Sequence, residues 1–299
     1  MEEKSFNKLN RSLHQEVTSL WDECFGDLPI TAQRLIKAHG TVSSKKAYKH
    51  AKKRPITISE LQKSKIEIYE SDRYFKKGTP QQGFAQRMTE KIIKRLINGN
   101  NQASKRLKEF LKGKKVLVGV HKQLADDAGF DGYNPLTKEL YIDLCAGHFY
   151  YNQKFPNLYN EDGLARTIGH ELAHAIEHEN RSSKTSPNQI GYSSNGWEVE
   201  NFCDAFGTAL CIGAGYSLAP SLTKLKEFEE RELASHKEDN PHPTLVQRRK
   251  LLELMIKAYD YDNNSTPTQY PSSVYDIEWN ARKIEQNKEK NPQLTIKDR

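Results

Sequence analysis

The stretch Gly169-His-Glu-Leu-Ala-His-Ala-Ile-Glu-His-Glu-Asn180 carries His170, Glu171 and His174 at a spacing with one clear physical consequence. On a helix, residues four apart project from one face, so His170 and His174 can offer two imidazoles to a single ion. Glu171 then sits beside that ion as a general base without being a ligand. Leu164, Ile168, Leu172, Ala175 and Ile176 form the opposite, apolar stripe, which predicts a helix over about 161–180 with its back in a core. His178, one turn further on, reads as an exposed or outer imidazole.

A catalytic metal of this kind needs a third protein ligand and an open position. The metzincin arrangement would require a glycine and a histidine where this chain has Glu177 and Asn180. A third ligand is found instead in GWEVENFCDAFGTAL, 196–210, where Glu200 and Asp204 share one face of a second predicted helix (about 197–213). Phe202, Phe206, Ala209 and Leu210 line its other face. Glu200 reads as a ligand, and Asp204 as a carboxylate accepting the outer N–H of a ligating histidine and fixing its tautomer. Glu198 competes as a ligand but has no carboxylate four residues on. Gly207 and Thr208 are small enough to let the two helices approach closely.

These residues resemble the gluzincin metallopeptidases. The run from Glu200 to Thr208 is similar to the glutamate helix of thermolysin. The resemblance implies zinc as the cofactor, His170, His174 and Glu200 as its ligands, Glu171 as base and Asp204 as the supporting carboxylate. In PHPTLVQRR, 241–249, His242-Pro243 is followed by Arg248, similar to a signature of CaaX-type and HtpX-like zinc peptidases and their soluble relatives. It implies His242 near the developing oxyanion and Arg248 locking the glutamate or its neighbours, both as catalytic groups. The resemblance covers about 163–259. It implies a metalloendopeptidase that hydrolyses peptide bonds of a protein substrate. A related peptidase type accompanies mobile-element repressors and antirestriction proteins. An antirestriction-type or nucleic-acid-associated factor is therefore one alternative, and a non-catalytic zinc-stabilised binding protein another.

Upstream, KKVLVGVH (114–121) and KELYIDLC (138–145) read as strands, with DGYNPLT between them as a turn. Leu140, Ile142 and Leu144 alternate with polar neighbours, and the family resemblance implies that this is an edge strand pairing with an extended substrate. Helices are expected over 84–99, 103–111, 222–235 and 244–259. The expected fold class is α+β: a zincin-like domain over 81–260 with a small sheet and two site helices. A mostly helical, basic region (1–80) precedes it and a polar tail (261–299) comes after it.

The 299 residues carry a net charge of +7, unevenly spread: between Thr41 and Lys122 there are 22 Lys and Arg against 6 Asp and Glu. Such a block suits an acidic partner. Its aromatics do not interleave as in nucleic-acid modules, which favours a solvated surface over nucleic-acid binding. No run approaches the ~18 apolar residues of a membrane span. The four scattered cysteines suit free thiols. The N-terminal sequence has no apolar signal core, so the expected location is cytoplasmic, or secreted without a signal peptide.

Overall fold

The computed structural model describes residues 20–41, 56–57, 72–123, 125, 127–134, 136–149, 160–182, 189–190, 196–233 and 243–263. Among the described residues the architecture is α+β: helices and a three-stranded mixed sheet share one hydrophobic core. Helices α1 (Ile30–Thr41), α2 (Pro80–Leu96) and α3 (Gln102–Phe110) precede the sheet. Helices α4 (Glu161–Ser182), α5 (Gly196–Gly213), α6 (Ala219–Leu233) and α7 (Leu245–Ala258) come after it.

The apolar stripe of α4 is buried as its spacing predicts, with Ile168, Leu172 and Ile176 fully enclosed. Its start is fixed locally. Asn160 accepts from the Gly163 N–H at 2.9 Å, and Glu161 and Asp162 occupy the first turn, where negative charge complements the helix dipole. Helix α5 packs against α4 at Gly169 and Gly207. A Cβ on Gly207 would stand 2.8 Å from the His170 nitrogen and 2.9 Å from the Arg166 carbonyl, so the two backbones touch. Two glycines therefore set the distance between the site helices.

Strands β1 (Lys115–His121), β2 (Ala128–Asn134) and β3 (Glu139–Cys145) form the sheet in the order β1-β3-β2. β1 runs parallel to β3, from Lys115 opposite Glu139 to His121 opposite Cys145. β2 is antiparallel to β3, with a register shift between Phe130 and Gly132. This corrects two expectations. The residues Asp131-Gly132-Tyr133-Asn134 belong to a strand, and the chain turns only beyond Asn134, whose Oδ1 accepts from Leu136 N–H at 3.0 Å. The strand assigned to the edge, Glu139–Cys145, is the central one. Its Leu140, Ile142 and Leu144 are fully buried core residues, with no edge to offer a substrate.

The two true edges differ. The outer edge of β1 is covered: Gln86 donates to the Val116 carbonyl and accepts from the Val118 N–H, both at 3.0 Å, and Phe75 N–H donates to the Val120 carbonyl at 2.9 Å. Among the described residues no strand pairs with the outer edge of β2. Both ends of β2 are tied down. The Asp127 carbonyl accepts from Cys145 N–H and lies 3.0 Å from His148 Nε2. At the other end Lys114 Nζ sits 2.9 Å from Glu179 on α4 and 5.5 Å from the Tyr133 ring.

Residues 20–41 share the core with the later helices. Trp21 and Phe25 pack edge-on against Phe202 of α5, with ring centroids 5.6 and 6.3 Å apart. Asn201 donates to the Ile36 carbonyl at 3.1 Å. Residues 1–19, most of the basic block between 42 and 71, and the tail from 264 lie outside the described residues. Among the described residues no helix is long and apolar enough to cross a membrane.

Candidate metal centre

Helices α4 and α5 bring His170, His174 and Glu200 together, with one donor atom from each lying within 4.8 Å of the others. His170 Nε2 is 3.1 Å from His174 Nε2 and 3.3 Å from Glu200 Oε2, while His174 Nε2 is 3.4 Å from Glu200 Oε1. Ligands about 2.0–2.1 Å from a tetrahedral ion stand ~3.3–3.4 Å from one another. The two imidazole nitrogens stand close to one edge of such a tetrahedron, each faces a different oxygen of Glu200, and the donors are nitrogen and carboxylate oxygen. The group could hold a metal ion.

The second carboxylate is placed as its spacing suggests. Asp204 is almost fully buried, and His170 Nδ1 lies 3.0 Å from its Oδ1. An ionised carboxylate can only accept, so Nδ1 carries the proton that Asp204 accepts, and Nε2 is the nitrogen that an ion would engage once its own proton is lost. Burial alone would push the Asp204 carboxyl up; Arg248 and Arg166, with the His170 N–H, outweigh it and hold the group well below the usual range. Burial alone would likewise pull His170 down, but its bonds to Asp204 and Glu200 raise it to about 10 in the metal-free protein.

Glu171 is buried on the same helix. Its carboxyl is pushed up to about 7, mainly by burial, with Glu200 adding to the rise while His170 and a hydrogen bond from the Phe130 backbone N–H oppose it. That N–H belongs to β2, so the outer edge of β2, with no strand partner among the described residues, passes beside the carboxylate next to the candidate ligands. Phe130 also meets His178 edge-on at 6.0 Å, so His178, expected as an exposed or outer imidazole, is half-buried against the same strand.

Arg248 pairs with Asp204. Its Nε and Nη2 each lie 2.7 Å from Asp204, on Oδ2 and Oδ1, so it positions the supporting carboxylate from α7. His242 lies outside the described residues. Reading the sequence missed Arg166, whose Nη2 donates to Asp204 Oδ1 at 3.0 Å. The signal was present: Arg166 precedes His170 by four residues and so shares its face. It also missed β2, whose two glycines and aspartate look like turn chemistry.

No family model matches this chain, and no curated protein matches it.

Proposed function

We propose that the protein is a zinc-dependent peptidase of the gluzincin type, hydrolysing a peptide bond in a protein segment laid along the outer edge of β2. The observation that carries this reading is the convergence of three elements: the His170, His174 and Glu200 donors, the neighbouring buried Glu171, and a sheet edge whose Phe130 N–H contacts Glu171. Two imidazoles and one carboxylate are the ligand set of a hydrolytic zinc with an open position. Zinc held there supplies Lewis acidity toward a carbonyl and acidity to water.

The chain's own groups do the rest. The Glu171 carboxylate accepts a proton from the attacking water and returns it to the nitrogen of the departing amine. A carboxyl raised toward neutral pH is basic enough for the first transfer and acidic enough for the second. Asp204 keeps His170 in the Nδ1–H tautomer, and Arg248 keeps Asp204 ionised. An extended peptide on β2 would gain main-chain hydrogen bonds with little demand on its sequence.

Labelling of new amino termini in a proteome treated with the zinc-loaded protein tests this reading, with Glu171→Gln as control. New termini that depend on Glu171 support it. Identical termini from both proteins, or none from either, count against it.

A further inference from the structure

Asp204 receives more donors than its burial requires. Arg248 alone reaches both oxygens, at 2.7 Å each, which satisfies the carboxylate and neutralises its charge. Arg166 adds a further contact, and it does so on Oδ1, the oxygen that accepts the His170 Nδ1–H. The Arg166 side chain is only 12% exposed, and burying a guanidinium is costly without a specific return. Its Nε lies 3.4 Å from Thr208 Oγ1, and that hydroxyl donates to the Asp204 carbonyl at 2.7 Å.

The placement explains what Arg166 adds. Arg248 approaches from α7, so by itself it would tie Asp204 to a helix that carries no proposed ligand. Arg166 and His170 are one turn apart on α4 and meet the same oxygen. The pair holds Oδ1 at two points of the helix that bears both imidazoles. The contact lies where the helices are closest, since the Arg166 carbonyl stands against Gly207.

We infer that Arg166 is a positioning residue for the metal centre. It registers Asp204 to α4 and thereby fixes the ring of His170 at the angle from which Nε2 meets the ion. The inference rests on the metal-site part of the proposed function and is independent of whether the substrate is a peptide.

The test compares the wild-type chain with Arg166→Met and Arg166→Lys. Zinc affinity is read by competition with a chromogenic chelator, the visible bands of the cobalt(II) form report ligand geometry, and circular dichroism of the metal-free proteins reports folding. Zinc affinity should fall ~10–100-fold in Arg166→Met, as for other partners behind a ligand. Its cobalt bands should shift, and Arg166→Lys should recover part of both changes by supplying one donor. A stabilising role alone would lower the melting temperature while leaving affinity and bands as in the wild type, and that result overturns the inference. Should Arg166→Met fail to fold, Arg166→Lys decides: a few-fold weaker affinity with altered bands supports the inference, and wild-type values contradict it. If the wild-type chain itself takes up no zinc or cobalt, the metal reading falls first and this inference with it.

Discussion

Arg248 grips Asp204 with two parallel contacts of 2.7 Å, linking α7 to the residue that holds His170. Asp204 is almost fully buried, so removing the guanidinium leaves a desolvated charge with less compensation. Arg248→Ala should destabilise the fold by about 3 kcal/mol, read by urea denaturation at neutral pH. The pH dependence has a definite sign. Asp204 is held below its ordinary value, so its stabilisation is present above the usual carboxylate range and is lost as pH falls through the depressed value. The wild-type advantage over Arg248→Ala should therefore shrink in acid.

Asp204→Asn should weaken zinc binding by roughly 10–100-fold without abolishing it. Chelator competition measures this. Unchanged affinity would mean that the Asp204–His170 contact does not support the ion.

Metal uptake should release protons. In the metal-free protein His170 is raised to about 10, so at pH 7 it is protonated and must lose that proton to bind an ion. Calorimetric titration with zinc in two buffers of different ionisation enthalpy should show release of about one proton at pH 7. For the metal-free fold the sign is opposite. The raised His170 contributes stability that is complete below its unfolded value of about 6.5 and is lost as pH rises toward about 10.

Gly207→Ala inserts a methyl 2.8 Å from the His170 nitrogen, which cannot be relieved by a side-chain rotation because the neighbour is backbone. A stability loss of ~1–3 kcal/mol is expected, together with weaker metal binding as the helices separate. Thermal denaturation with and without zinc separates the two effects.

Much of the centre was legible in the sequence because helix spacing is geometric: residues four apart share a face whatever the rest of the chain does. Hence His170 with His174, and Glu200 with Asp204, fall where the spacing puts them. The sheet was less legible. Alternation identifies Leu140, Ile142 and Leu144 as one buried face but carries no information about neighbours in the sheet, so it could not tell a central strand from an edge. The outer strand β2 contains Gly129, Asp131 and Gly132, residues whose composition signals a turn while the bulged pairing with β3 makes them a strand. Arg248 could be placed near the site, but only the fold shows that it pairs with Asp204.

The central claim is that His170, His174 and Glu200 hold one zinc, and elemental analysis of the purified wild-type chain beside His174→Ala tests it most directly. The account predicts about one zinc per wild-type chain and a large loss in the variant, because a catalytic site of this type has three protein ligands. Stoichiometric zinc retained by His174→Ala, or a wild-type chain that takes up none when zinc is supplied, would contradict it.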